Sequence, residues 1–268
     1  MVSISQEQSI AVFPTADDLF QFTAMDFSRR AMAAVKEKGV FSVVLSGGNT
    51  PKLFFETLTR NDECVTNTPW GQIQFFFGDE RYVPPDDINS NYHTAQEYLF
   101  SKVPVSPDNI YRIPTEYTDP KEAALDYEQT LRKAFQVKDN SYPSFDLIYL
   151  GLGDNAHTAS LMPFSDIVTD YATNPFTDQN HQLVASLFMS ESNMYRITLT
   201  PNAINNSQSI LFMVTGLNKA MAVWNVLEGK TDPQNFPAQL IHCLKGKTIW
   251  YLDKAAADKL GNEVNYAK

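Results

Sequence analysis

Short apolar runs alternate with segments of helical period along most of this chain, and that alternation constrains the fold more than any other feature. Val40-Phe41-Ser42-Val43-Val44-Leu45 has the length and composition of a buried strand. Just before it, residues 17–38 place Phe20, Ala24, Phe27, Ala31 and Val35 on one helical face. Thr15 and Asp18 form the pattern of a capping box with the shorter acid, and Gly39 stands where a C-terminal cap belongs. Pro51 suits the first turn of a helix that continues over residues 52–60. The pattern recurs, with strands expected over 73–77, 145–150, 209–215 and 248–252, and helices over 91–101, 121–135, 218–228 and 253–260. Residues 183–188 and 195–199 read as further strands of unassigned pairing, and 78–90 as a loop. Strands alternating with helices predict an α/β fold with a mainly parallel sheet and helices on both faces. No repeat or Gly/Ser linker interrupts the chain, so one domain over residues 1–268 is expected.

In sheets of this kind ligands bind beyond the carboxyl ends of the strands. Glycine usage points to the same place. The chain holds only 11 glycines in 268 residues, fewer than the roughly 7% of an average protein. Gly47, Gly48, Gly78, Gly151, Gly153 and Gly216 all fall just after expected strands, where tight turns or close approach to a ligand need them.

Charge narrows the ligand. The balance is 21 basic against 31 acidic residues, a net charge of −10, the wrong sign for a general nucleic-acid binder. An anionic substrate then requires a few basic groups and backbone N–H donors gathered in one site. No apolar run approaches the roughly 20 residues needed to cross a bilayer. Residues 1–11 lack a basic segment followed by an apolar stretch, so a secretory signal is not expected. Two cysteines, Cys64 and Cys243, cannot build a disulfide framework, and a cytoplasmic location follows as the expectation. The four histidines show no metal-ligand spacing with each other or with the cysteines, so no metal site is expected.

Four segments carry candidate chemistry. Ser46-Gly47-Gly48-Asn49-Thr50-Pro51 joins a strand to a helix start and exposes backbone N–H groups at the positive end of the helix dipole, a cradle for phosphate or carboxylate. It has neither the P-loop nor the dinucleotide spacing, which favours a small phosphorylated metabolite over a nucleotide. In Gly78-Asp79-Glu80-Arg81-Tyr82-Val83-Pro84, Arg81 suits a bidentate grip on phosphate, and Asp79 or Glu80 suits orienting a base or a substrate hydroxyl. In residues 150–160, His157 follows a strand and a glycine-containing loop; at an expected helix start its neutral imidazole is a candidate general base. Lys219, in Gly216-Leu217-Asn218-Lys219-Ala220, sits at another helix start, an unfavourable place for a cation unless an anion lies nearby. Arg196 precedes Ile197-Thr198-Leu199-Thr200. Ser160 lacks the G-x-S-x-G elbow of a nucleophile.

Taken together and in order, these segments, with Ser90-Asn91, residues 150–163 and Trp250-Tyr251-Leu252-Asp253, resemble the motifs of the 6-phosphogluconolactonase family, within the superfamily that also holds glucosamine-6-phosphate deaminase. The resemblance covers nearly the whole chain. It implies a three-layer α/β/α, modified Rossmann-like fold. It also implies hydrolysis of 6-phospho-D-glucono-1,5-lactone to 6-phosphogluconate, the second step of the oxidative pentose phosphate pathway, without a cofactor. The expected partner is that small sugar-phosphate lactone, not nucleic acid or a membrane, and the expected state a monomer or small homo-oligomer. The resemblance assigns His157 as the base, with Asn155 and Asp79 beside it. Ser46, Gly47, Gly48, Asn49, Thr50, Arg81, Arg196 and Lys219 would hold the substrate and its phosphate.

The chain departs from the family at one point. The family usually has Asp-Gly-His where Asn155-Ala156-His157 stands here. Asn155 carries no charge to support an imidazolium, Asp154 is one residue early, and Ala156 suits the position only if positive φ is not required. Two alternatives follow: a deaminase-like enzyme, against which Met162 stands where an acid is expected, and a sugar-phosphate-binding protein without turnover.

Overall fold

The computed structural model describes residues 8–173, 181–190 and 192–261. Residues 1–7, part of the stretch read for a secretory signal, lie outside the described residues. Ten strands alternate with eight helices among the described residues: β1 (Gln8–Phe13), α1 (Ala16–Lys38), β2 (Phe41–Leu45), α2 (Asn49–Arg60), α3 (Asp62–Asn67), β3 (Ile73–Phe77), β4 (Asp79–Arg81), α4 (Asn91–Ala95), β5 (Ile110–Tyr111), α5 (Pro120–Phe135), β6 (Leu147–Leu150), α6 (Asp166–Thr173), β7 (Val184–Met189), β8 (Met194–Leu199), α7 (Pro201–Asn205), β9 (Ser209–Val214), α8 (Ala220–Leu227) and β10 (Lys247–Asp253).

Seven strands form one sheet in the order β1-β10-β9-β6-β2-β3-β5. Every neighbouring pair in it is parallel, and helices cover both faces. This is the expected α/β sandwich, and its parallel strands are buried runs for the expected reason. All five residues of β2 are buried, as are all four of β6. Aromatic rings fill the core between the layers: Phe212 stacks on Trp250 with centroids 3.9 Å apart, and Phe76 on Tyr111 at 4.6 Å.

The first long helix starts and stops as its sequence dictates. Thr15 Oγ1 accepts from the Asp18 N–H at 3.1 Å, Asp18 Oδ2 accepts from the Thr15 N–H at 3.1 Å, and Gly39 closes the helix at φ 81°. Midway along it, Asp26 is buried and pairs with Arg30 at 2.6 Å and with Arg29. It also accepts from the Tyr251 hydroxyl of β10 at 3.2 Å, which ties α1 to the sheet.

Several expectations need correction. Residues 254–260 form turns rather than a last helix. Asp253 already caps that segment, accepting from Ala256 N–H at 2.7 Å and from Gly216 N–H at 3.0 Å. The helix expected over 91–101 is α-helical only to Ala95, and Gln96–Phe100 continues as a π-turn. The supposed loop after β3 begins with β4, which pairs antiparallel with β8, and β8 with β7, as a second, three-stranded sheet. Its charged sequence, Asp79-Glu80-Arg81, gives no strand signal; only the partner strand makes it one. Strands β1 and β5 and helices α3, α6 and α7 are too short or too weakly periodic to read from sequence.

One buried side chain completes the sheet beside the second sheet. Strand β5 is only two residues long and pairs with Phe75 and Phe76. It leaves the next residue, Phe77, without a neighbour on that side. The fully buried Tyr127 of α5 takes the vacant place: its hydroxyl accepts from Phe77 N–H at 2.9 Å and donates to Phe77 O at 3.0 Å. Burial raises its pKa well above the usual phenol value, so it stays a donor. Replacing Tyr127 by Phe strands a buried N–H and carbonyl at the entry to the second sheet. It should lower unfolding free energy by about 1–3 kcal/mol, measured by urea denaturation.

Candidate active site

Parallel strands deliver their carboxyl ends to one edge of the sheet, and the loops after β2, β3, β6 and β9 meet there around a cavity of about 440 Å³. Ser46, Gly47, Gly48, Asn49, Thr50, Asp79, Arg81, His157, Arg196 and Lys219 all line it. Asn155 is the one expected site residue that does not. It is exposed and stands behind the histidine.

His157 lies in a turn rather than at a helix start, which corrects the expectation that a helix dipole tunes it. Asn155 Oδ1 accepts from the His157 backbone N–H at 3.2 Å and lies 2.5 Å from its Nδ1. An amide oxygen can only accept, so Nδ1 carries the proton and Nε2 is the basic nitrogen. The ring rests against Gly153, where a Cβ would come within 2.0 Å of Nδ1. Burial lowers the histidine's pKa, opposed by the charge of Asp79; the cations Arg196 and Lys219 lower it further. His157 is therefore neutral at pH 7.

The turn around it is strained. Ala156 has φ 60°, the left-handed conformation that glycine adopts without cost. The condition set for an alanine at this position is thus not met. The structure holds it nonetheless: Gly153 O accepts from Ala156 N–H at 2.9 Å, Ala156 O accepts from Ala238 N–H at 3.0 Å, and the methyl is buried. The strain, about 1 kcal/mol, is opposed by that packing.

Asp154 does not reach the imidazole. Its carboxylate pairs with Lys219 and accepts from Asn218 Nδ2 at 3.1 Å, joining the loops after β6 and β9. This is the anion that a lysine at that helix start calls for, and the lysine holds the Asp154 pKa below the usual carboxylate range.

Arg81 and Arg196 face each other directly across the β4–β8 pair. Like charges in that position repel unless an anion joins them. Arg81 Nη1 donates to Asn89 O at 2.6 Å, yet the Nε of each guanidinium is buried without a hydrogen-bond partner among the described residues. Asp79, buried at the base of the site, accepts from Ser160 Oγ at 2.6 Å and lies 3.9 Å from Arg196. The cavity wall thus carries three cations and one anion, a positive site in a chain of net charge −10.

At the far wall, Gly48 precedes α2, and its φ of 99° turns the chain from strand into helix. No side chain caps it, so N–H groups of its first turn remain open to an anion. Thr50 Oγ1 lies 3.4 Å from Thr215 Oγ1. Ser46 Oγ donates to Tyr149 O at 2.6 Å and fastens the loop to β6.

Glu80 serves the architecture. Its buried carboxylate accepts from the N–H groups of Arg81, Asn91 and Tyr92 at 2.7–2.8 Å and from Ser90 Oγ at 3.0 Å, which fixes the start of α4. Burial raises its pKa against those bonds. Ser160, set aside as a nucleophile, is instead the partner of Asp79. Among the described residues no group of three or more His, Cys, Asp or Glu converges as a metal site would.

A family model described as glucosamine-6-phosphate isomerases/6-phosphogluconolactonase matches residues 14–250. The chain belongs to this family. Within it, the chain is 37% identical over 231 residues to a Synechocystis 6-phosphogluconolactonase, covering 86% of this chain and 89% of that one. It superposes on the crystal structure of the devB protein with a TM-score of 0.83 at 32% identity, over 95% of this chain and all of that one. Thermotoga maritima 6-phosphogluconolactonase gives a TM-score of 0.75 at 28% identity, over 92% of this chain and all of that one.

The His157 ring should titrate below the ordinary 6.5 of a histidine when followed by NMR. In Asn155→Asp a carboxylate beside Nδ1 favours the imidazolium, so the same resonance should titrate at higher pH than in the parent.

Proposed function

We infer that this chain, folded as one domain, hydrolyses 6-phospho-D-glucono-1,5-lactone to 6-phosphogluconate. One observation carries the reading: a neutral histidine with its Nδ1–H held by Asn155 and its Nε2 left basic, in a cavity that also gathers Arg81, Arg196 and Lys219. The family and its 6-phosphogluconolactonase relatives supply the substrate. The chain's first and last described strands, β1 and β10, are neighbours in the sheet, which supports a single folding unit.

The phosphate lies between the open N–H groups of the Gly47–Gly48 loop and the side chains of Arg81, Arg196 and Lys219. An anion there removes the Arg81–Arg196 repulsion and satisfies guanidinium donors that are otherwise unpaired. His157 Nε2 takes a proton from water as the oxygen attacks the lactone carbonyl. The carbonyl π electrons move to oxygen, and donors of the cavity stabilise the oxyanion. On collapse the bond from the carbonyl carbon to the ring oxygen breaks, and the imidazolium returns the proton to that oxygen. Asp79 supplies the field that the uncharged Asn155 does not, since its charge is the main one favouring protonated His157.

No residue of the described chain needs a metal or organic cofactor for these steps. We place the enzyme in the cytoplasm as a monomer or small homo-oligomer acting on a small molecule, not on nucleic acid or a membrane. No described helix is long and apolar enough to cross a membrane. The deaminase alternative has Met162 where it needs an acid, and Met162 does not line the cavity.

The test is lactone disappearance, with the substrate generated in place and the spontaneous rate subtracted. His157→Ala should lose about 10²–10⁴-fold in kcat while retaining affinity for 6-phosphogluconate. Parent protein that binds 6-phosphogluconate but gives no rate above background would establish a binding protein instead. The acid limb of kcat/KM should lie below pH 6.5, because protonation removes the base and burial lowers the pH at which that happens. Arg81→Ala and Arg196→Ala should each raise KM by about 10–100-fold, as the loss of a charge-assisted hydrogen bond implies.

A further inference from the structure

Asn91, the first residue of α4, is buried at the wall of the cavity, and its carboxamide spans two elements that the chemistry needs. Its Nδ2 donates to Asp79 O at 2.8 Å and to Asp79 Oδ1 at 3.3 Å. That fixes which end is nitrogen, since only a donor can face two acceptors. Its Oδ1 therefore turns the other way, buried and without a hydrogen-bond partner among the described residues. It rests on Gly47: a Cβ on that glycine would lie 1.7 Å from Oδ1 and 2.2 Å from Cγ. The backbone of Asn91 is pinned in turn, its N–H donating to Glu80 Oε1 at 2.7 Å.

We propose that Asn91 is a positioning residue that braces the Gly47–Gly48 loop against Asp79, so that the phosphate cradle and the carboxylate facing His157 hold one spacing. A buried carboxamide with one unpaired oxygen costs stability, while its Nδ2 satisfies the carbonyl of buried Asp79. The oxygen is tolerated where the amide group sets both neighbours at once. Gly47 is then required for close approach rather than for backbone freedom, because only a residue without Cβ leaves room for Asn91. This inference rests on the lactonase reading for its kinetic arm alone.

A double-variant cycle tests it. Asn91→Ala should keep the fold and lose at least 10-fold in kcat/KM, with affinity for inorganic phosphate, measured by calorimetry, weakened by at least three-fold. Asn91→Ser, whose Oγ stands where Cγ does now, still packs on Gly47 but loses the Nδ2 bond to Asp79, and should recover part of the phosphate affinity and little of kcat. Gly47→Ala should lose phosphate affinity in the parent, and Gly47→Ala with Asn91→Ala together should bind phosphate better than Gly47→Ala alone. Multiplying losses in the double variant would overturn the brace, as would Asn91→Ala with phosphate affinity and kcat/KM both within two-fold of the parent. Should Asn91→Ala not fold, Asn91→Ser and the Gly47→Ala comparison decide the matter by the same readouts. A parent protein without turnover would sink the lactonase reading and leave the phosphate cycle to judge the brace.

Discussion

Every strand of the main sheet runs the same way, and the rest of the structure depends on that constraint. Parallel neighbours require crossovers, the crossovers bury both faces, and the turns that follow the strands are all delivered to one edge. Four such turns, after β2, β3, β6 and β9, bring a helix start, a histidine and a lysine to one cavity, which Arg81 on β4 and Arg196 on β8 complete. Residues more than a hundred positions apart become neighbours because the sheet order places β6 between β2 and β9.

The small antiparallel sheet adds what the parallel one cannot. It sets Arg81 and Arg196 side by side in register and brings Thr198 opposite Asp79. The buried acid Glu80 pins the start of α4 to that sheet through three hydrogen bonds. The polar groups around the cavity are thus held by one another. Ser160 fixes Asp79, Asn155 fixes His157, and Asp154 fixes Lys219. This is how a site rich in like charge persists before substrate arrives: each cation or carboxylate has a partner except where an anionic ligand is to supply one.

The departure at Asn155-Ala156 takes a physical form in this frame. The amide preserves the tautomer that a carboxylate would impose but adds no charge, and the field on the imidazole comes instead from Asp79 across the cavity. The left-handed alanine is a local cost met by hydrogen bonds and a buried methyl. Orientation and electrostatic support of the base are here divided between two side chains.

Sequence alone determined the α/β class, the order of the longer strands and helices, the caps of α1, and the glycine-marked turns where the site lies. These are local properties: periodicity, strand length and cap chemistry act within a few residues. It also named the charged groups that line the cavity, most of which follow strands of the parallel sheet, but not Asn91, Thr158, Thr215 or Asn218. Tertiary structure alone decided that Asp79-Glu80-Arg81 is a strand, that His157 sits in a turn and is tuned by burial, and that Asp154 serves Lys219 rather than the histidine. It also gave Glu80, Ser160 and Asn91 their partners. Each of these depends on groups distant in the chain, whose hydrogen bonds and desolvation exist only once the sheet has assembled.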